Sequence, residues 1–245
     1  QRGRNRALEE LRRGFVFHFA GDQHLASIVH HGIEKWEDAG YSFCVPSIAA
    51  GYPRSWRPDK EGRPVRNRPS AGLANTGEYK DGLQNILTVH AIGNPTPKKS
   101  KGRLNTLHDK ASGYGIVRLN KAKGTITMEC HRLLIDAADL QPKDQFPGWP
   151  KTIHFRENNG RAPTAHLPEI KVEGVKYPVF KIIDEKTGEL VYAIRIQGGS
   201  FRPPIYDKTA TYKISIGEPD MEKWKSLEDL KPDASGKKTF LYLKF

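Results

Sequence analysis

The stretch Phe15-Val-Phe-His-Phe-Ala-Gly-Asp-Gln-His-Leu25 indicates the fold and contains the residues best suited to chemistry. Its first part, Phe15 to Ala20, is a short apolar run with one histidine, which is typical of a strand buried on both faces of an α/β sheet. Apolar residues then recur at helical spacing. They are Leu25, Ile28, Val29, Ile33 and Trp36. The pattern predicts a strand, a loop at its carboxyl end, and then a helix.

Two candidate metal ligands, Asp22 and His24, lie close together on this predicted loop. A carboxylate and an imidazole together suit iron, zinc or manganese, and oxygen ligands alone suit calcium. Gly21 is expected to permit a turn that a bulkier residue would resist. In the alternative interpretation, Asp22 caps the predicted helix and His24 lies in its first turn, with no metal involved.

Six segments, in the same order and with sensible spacing, resemble the C-terminal part of PhoD-like alkaline phosphatases. This family is a branch of the calcineurin-like metallophosphoesterases. The segments are Gly21–His24, Tyr41–Ala49, Tyr52–Trp56, Asn75–Tyr79, Val89–Pro95 and Ser112–Gly115. The resemblance extends over roughly the first 135 residues of the chain.

The resemblance implies a function and a set of site residues. Residues 1–140 would be the C-terminal part of a metallophosphoesterase α/β sandwich, acting as a phosphatase or phosphodiesterase. PhoD-like members carry Gly-Asp-x-His as the last motif of a binuclear metal centre, which matches Asp22 and His24 here. Both residues are thereby implied as catalytic and metal-binding, with Asp22 either a ligand or the group that orients one. The resemblance also implies iron and calcium as metals, and export to the periplasm or the cell exterior.

The upstream metal motifs of that superfamily are missing from this chain. No second Asp-x-His, no Gly-Asp-x-x-Asp and no Gly-Asn-His-Asp/Glu occurs in the 245 residues. A two-metal site needs about six to eight ligand atoms from several strand ends, and this loop offers two side chains. We therefore expect the chain to be the C-terminal portion of a larger enzyme, with the missing N-terminal part of the same enzyme as its partner.

Positive charge is concentrated in one part of the chain. The formal net charge is +12, and residues 51–110 hold 12 Lys and Arg against 5 Asp and Glu. Arg54 and Arg57 are candidate substrate-binding residues because guanidinium groups match phosphate oxygens. Arg63, Arg66 and Arg68 lie in the same Pro- and Gly-rich stretch. Its alternative interpretation is a solvated surface loop.

A second function class stays open beside the hydrolase. A non-catalytic, basic binding or scaffold fragment that contacts polyanions would show the same charge. Nucleic-acid binders usually interleave basic residues with aromatic residues, and residues 51–110 have only Tyr52, Trp56 and Tyr79. The enzyme is therefore favoured, with a phosphoester as its substrate. Nucleic acid is a possible substrate but is not required.

The rest of the chain predicts an α/β (α+β) protein with a second domain. Further strands are predicted over residues 41–49 and 87–92, and Tyr114–Leu119 with Thr125–Cys130 predicts a hairpin. Prolines over residues 141–168 indicate a linker or docking arm. Residues 169–245 alternate apolar and polar side chains and predict a small β-sandwich-like domain. No apolar run approaches the roughly 20 residues of a membrane span.

The remaining histidines and cysteines carry weaker signals. His30 and His31 fall on the predicted helix, and exposure or a core contact is favoured over metal ligation. His90 is expected on a strand, hydrogen-bonded to the backbone in the core. Cys44 and Cys130 lie in apolar runs, so buried free thiols are favoured over a lone disulfide.

Overall fold

The computed structural model describes residues 2–48, 54–61, 67–69, 72–93, 101–110, 112–233 and 238–245. These residues form two compact units. The first comprises the chain up to Leu11 together with Val16–Gly160, and the second comprises Arg12–Phe15 together with Arg161–Phe245. The described part of the chain is mixed α and β but mostly β, with 17 strands in several sheets and two α-helices.

The first unit contains two sheets. Helix α1 spans Arg2–Arg13 and helix α2 spans Arg103–Lys110. The strands are β1 (His18–Ala20), β2 (Ser27–His31), β3 (Tyr41–Cys44), β4 (Gly77–Lys80), β5 (Ile86–Ile92), β6 (Gly113–Asn120), β7 (Thr125–Arg132) and β8 (Lys151–His154). One sheet has the order β1-β3-β2-β5-β4 and the other the order β6-β7-β8. β1 pairs with β3 in parallel, and the other pairs in these sheets are antiparallel.

Buried side chains from both of these sheets form one cluster. Ile28 and Phe43 come from the five-stranded sheet, and Met128 and Ile153 from the three-stranded sheet. Burial alternates along most of β7 because successive side chains of a strand point to opposite faces. This cluster therefore holds the two sheets of the first unit together.

The second unit is built almost entirely from strands. They are β9 (Ala165–His166), β10 (Glu169–Glu173), β11 (Val179–Asp184), β12 (Leu190–Arg195), β13 (Ser200–Phe201), β14 (Pro204–Ile205), β15 (Tyr212–Glu218), β16 (Lys223–Leu230) and β17 (Phe240–Lys244). They form a sheet β12-β11-β15-β16, a sheet β13-β10-β17 and the pair β14-β9. Phe180 and Phe201 meet edge to face, with ring centroids 5.2 Å apart, and so connect the two larger sheets.

Two predictions for the stretch that opens the chain are wrong. The predicted helix over Leu25–Trp36 is instead strand β2, in which Ile28 and His30 are buried and their neighbours are not. β3 and β5 pair with it on both edges, and this pairing outweighs the local helical spacing. The predicted buried strand over Phe15–Ala20 is the three-residue edge strand β1, where Phe19 is 64% exposed.

The interpretation of residues 141–168 as a linker also differs from the structure. Phe146 and Trp149, only 1% and 7% exposed, belong to the core cluster of the first unit. β8 then pairs with β7, and a 3₁₀-helix follows at Phe155–Asn159. Residues 141–160 are therefore an ordered part of the first unit, and residues 161–168 belong to the second unit.

Several other predictions are confirmed. The strand expected over residues 87–92 is β5. The hairpin is β6 paired with β7, while the strand over residues 41–49 is shorter, ending at Cys44. Cys44 and Cys130 are free thiols, as expected, but only Cys130 is fully buried and Cys44 is half-buried. Neither helix in the described ranges is both long and apolar enough to cross a membrane.

Candidate functional site

The loop between β1 and β2 carries both predicted metal ligands. Asp22 is exposed and His24 is half-buried. The loop follows the carboxyl end of β1, and the amide of Val45 donates to the carbonyl of Ala20 at 2.8 Å, which fixes the end of the strand. The carboxylate and the imidazole are therefore presented from a fixed strand end, and one of them is open to solvent.

Asp22 and His24, rather than Gly21, adopt the unusual backbone conformation of this loop. Their φ angles are 66° and 54°, in the left-handed region that most side chains avoid. A Cβ added at Gly21 would meet only the side chain of Val45 at an ordinary 3.8 Å, so the expected role of Gly21 in the turn is wrong. Strained residues of this kind concentrate at functional sites, where the surrounding structure holds them.

Arg54 lies against this loop although it is 30 positions further along the chain. Its guanidinium donates to Gln23 Oε1 at 2.8 Å, and its amide donates to the carbonyl of His24 at 3.2 Å. Arg54 is exposed. The structure thus brings together the predicted metal ligands and one of the two predicted substrate-binding arginines.

The other arginines of the basic stretch are placed differently. Arg57 is half-buried, and its Nε is shielded from solvent and has no hydrogen-bond partner in the part of the chain that the structure describes. Arg68 donates to the carboxylate of Asp59 and to the carbonyls of Leu73 and Thr76. Arg63 and Arg66 lie outside the described residues. Arg68 therefore ties its own segment together, and Arg54 is the arginine that meets the loop.

The Asp59 carboxylate gives this segment a pH-dependent stability. Burial acts to raise its pKa, but hydrogen bonds from the Asn75 amide, Arg68 and the Tyr79 hydroxyl lower the pKa below the usual value. A depressed pKa stabilises the fold above the unfolded value of about 3.9, and this contribution is lost as pH falls through the folded pKa.

We expect Asp59→Asn to lower the free energy of unfolding by about 2 kcal/mol at pH 7, because three donors lose a charged acceptor. The difference from the unsubstituted chain should shrink as pH falls below about 4, where the native carboxyl is itself neutralised. Urea unfolding at pH 7 and pH 3 measures both values. Asp220→Asn, at an exposed carboxylate, is the control. A difference that stays constant across this pH range would contradict the assignment.

A second group of potential ligands, missed by the sequence interpretation, lies elsewhere in the same sheet. Within the described residues, His30, Glu37 and His90 form the one cluster of three or more His, Cys, Asp or Glu side chains whose ligand atoms lie within 4.8 Å of one another. His90 Nε2 lies 3.1 Å from Glu37 Oε1, and His30 Nδ1 lies 3.8 Å from the same oxygen. Asp22 and His24 belong to no such cluster in the described ranges.

The electrostatics of this His–Glu cluster follow from its partners. The imidazoles of His30 and His90 lower the pKa of Glu37 well below its usual range. Burial lowers the pKa of His90, and Glu37 acts in the opposite direction. His90 bonds to a side chain rather than to the backbone, contrary to the prediction, whereas His30 does make the expected core contact, to the carbonyl of Ala39.

The neighbouring His31 has a structural role. Arg4 Nη2 lies 3.3 Å from its Nδ1, and its Nε2 lies 2.9 Å from the hydroxyl of Ser42. Burial, with the nearby Arg4 charge, lowers the pKa of His31 to about 4. His31 is therefore neutral at physiological pH and fastens β2 to α1 and β3.

Comparison of the chain with family models, with curated proteins and with solved structures found no match in any of the three.

Proposed function

We propose that these residues form the C-terminal portion of a metal-dependent phosphoester hydrolase of the PhoD-like kind. Asp22 and His24 would hold a metal ion at its active site. The observation that supports this best is the contact of Arg54 with the Asp22–His24 loop, through Gln23 and the His24 carbonyl. A metal-binding loop and a guanidinium side by side provide the two kinds of group that bind a phosphoester.

The donor chemistry of the loop suits the proposed ions, but the described residues do not complete a two-metal site. An exposed carboxylate and an imidazole suit iron, and the carboxylate also suits calcium. Ions held there would supply polarisation of the phosphoryl group and a hydroxide nucleophile. The remaining ligands would come from a segment that carries the upstream motifs and lies outside these 245 residues.

The chain's own residues would prepare the substrate for this chemistry. The guanidinium of Arg54 is exposed and held by Gln23, so it would donate to a phosphate oxygen in a fixed direction beside the loop. The surplus of Lys and Arg in residues 51–110 would attract phosphoesters from solution. Arg57 lacks this placement, and its part in binding substrate remains a prediction.

The unpaired edge of β1 is a candidate binding surface for the N-terminal part of the same enzyme. In the described part of the chain β1 pairs only with β3, and Phe19 is exposed beside Phe17, with ring centroids 6.1 Å apart. An unpaired strand edge with an exposed aromatic residue is a template for pairing with another segment. We propose that the missing part extends the sheet there and so brings its ligands near Asp22. Export from the cytoplasm belongs to the same proposal.

The test compares two forms of the protein. The natural protein that contains these residues together with the upstream motifs should hydrolyse nitrophenyl phosphate or bis(nitrophenyl) phosphate, and a chelator should abolish the activity. The 245-residue chain alone should show no appreciable hydrolysis, because one carboxylate and one imidazole cannot enclose two cations.

Three outcomes would contradict the proposal. They are a natural protein without such a segment, a complete protein without chelator-sensitive hydrolysis, and full activity of the 245-residue chain verified by mass. If the complete protein is inactive but binds heparin or nucleic acid with strong salt dependence, the polyanion-binding alternative takes its place.

A further inference from the structure

The His–Glu cluster shares no residue with the Asp22–His24 loop, and three different elements build it. His30 is on β2, Glu37 is on the loop between β2 and β3, and His90 is on β5. The register of β2 and β5 shifts at this point, with Ile28 opposite Ala91 and Val29 opposite Val89. His90 is therefore the extra residue of a β-bulge, a feature that redirects a side chain.

The tautomer of His30 leaves a lone pair directed into the cluster. His30 is 6% exposed, and its Nε2 lies 2.8 Å from the carbonyl oxygen of Ala39. A carbonyl oxygen only accepts, so Nε2 carries the proton and Nδ1 of the neutral ring is unprotonated. Among the described residues, that buried Nδ1 has no hydrogen-bond partner, and it faces Glu37 Oε1 at 3.8 Å. A lone pair and a carboxylate oxygen repel unless a proton or a metal ion lies between them.

The hydrogen bond from His30 to Ala39 is also the arrangement found behind metal-binding histidines. Such residues donate their second ring N–H to a carbonyl or carboxylate, which fixes the tautomer and the ring orientation. Tyr41 stacks on the His30 ring, with centroids 3.9 Å apart and planes 20° apart. The Tyr41 amide in turn donates to the buried Asn158. The His30 imidazole is therefore held in place at Nε2 and on one face, which leaves Nδ1 directed toward the cluster.

The loop that carries Glu37 is ordered around the carboxylate of the next residue. Asp38 accepts hydrogen bonds from the amides of Ile33, Glu34 and Lys35 at 2.6 to 3.2 Å. Glu37 itself has a φ of 63°, an uncommon conformation for a residue with a Cβ. This loop therefore directs the Glu37 carboxylate inward at a conformational cost, which is a feature of functional positions.

From this geometry we propose that His30 Nδ1, Glu37 Oε1 and His90 Nε2 bind a zinc ion that fastens the β2–β3 loop to the sheet. Two imidazoles and a carboxylate are a recognised zinc ligand set, with the fourth position taken by water. Tetrahedral zinc places its ligand atoms about 3.3 Å apart, and the distances from Glu37 Oε1 to the two rings, 3.1 and 3.8 Å, lie on either side of this value. The Glu37 side chain is 43% exposed, which gives the ion and its water a route from solvent.

The experiment uses the 245-residue chain after dialysis against a chelator, with Zn²⁺ alone as the probe. Calorimetry and metal analysis should give a zinc site that depends on Glu37 and His90. Glu37→Gln and His90→Gln should each weaken its affinity at least about 100-fold, more than the 10–100-fold cost of losing a group behind a ligand. Glu34→Gln, the same charge change on an exposed residue of the same loop, and His18→Gln, at an exposed histidine, should leave the affinity unchanged.

A spectroscopic measurement identifies the nitrogen involved. Long-range ¹H–¹⁵N spectra should show Nδ1 of His30 shifting on addition of zinc while its Nε2 keeps its proton. Zinc at 100 times its dissociation constant should also raise the folded-to-unfolded ratio about 100-fold. His24→Ala should keep this zinc site, so its presence does not depend on the proposed phosphoesterase function.

Several results would overturn the proposal. One is zinc affinity that Glu37→Gln leaves unchanged, and this variant decides the matter if His90→Gln does not fold, because Glu37 is partly exposed. Another is zinc binding lost in His24→Ala but kept in Glu37→Gln, which would support the Asp22–His24 site instead. The third is the absence of zinc binding at zinc concentrations up to 100 times that of the protein. If Nδ1 of His30 is then found protonated, the cluster is a proton-sharing network.

Discussion

His24→Ala in the complete enzyme is expected to lower the turnover of nitrophenyl phosphate by more than about 100-fold and to lower the bound metal in parallel. A direct ligand determines both occupancy and the charge that stabilises the attacking hydroxide, so its loss should exceed the 10–100-fold cost of losing a group that only orients a ligand. His24 is half-buried on a loop, so the fold should survive the change. Steady-state kinetics and metal analysis on the same samples measure the two effects.

Two further variants separate the roles of the loop residues. His18→Ala removes an exposed imidazole from the adjacent strand β1 and should leave turnover and metal content unchanged. Asp22→Asn should lower turnover 10–100-fold if Asp22 only orients a ligand, and by more if Asp22 is itself a ligand. A His24→Ala enzyme with unchanged metal stoichiometry and rate would end the assignment of this loop to the active site.

The sequence predicts strands well where the paired strands are close together along the chain. β6 and β7 pair across four residues, and their alternation identifies them without knowledge of the rest of the fold. β2 is a different case, since the five apolar residues Leu25, Ile28, Val29, Ile33 and Trp36 fit a helix. Its pairing with β5, about 60 residues away, decides the outcome, and local spacing does not contain that information.

The candidate sites differ in the same way. Asp22 and His24 are neighbours in sequence, so a short motif suffices to notice them, whereas the contact of Arg54 with their loop depends on how a distant segment folds back. The His–Glu cluster combines a strand residue, a bulge residue and a loop glutamate. Glu37 has no sequence pattern that separates it from Glu34 in the same loop. Its backbone conformation and its contacts with His30 and His90 distinguish it.

Phe146→Ala is expected to lower the stability of the first unit by about 3–5 kcal/mol, the usual cost of emptying a buried aromatic position. Phe146 is 1% exposed, packs in the core cluster, and lies with its ring centroid 6.4 Å from that of Trp149. The guanidinium of Arg132 lies over the same ring at 5.4 Å, so the loss removes apolar and cation–π contacts together.

Leu140→Ala provides the matched control for this change, because Leu140 precedes the same segment but is 36% exposed. Urea unfolding, monitored by hydrogen exchange at the amides of β7, measures the stability of the first unit separately from that of the second. If residues 141–168 were only a linker or docking arm, the two substitutions would lower the free energy of unfolding by the same small amount, since neither side chain would fill a core. A much larger cost for Phe146 is expected because the segment completes the packing between β7 and the five-stranded sheet, and the proposed zinc site on β2 and β5 depends on that packing for its rigidity.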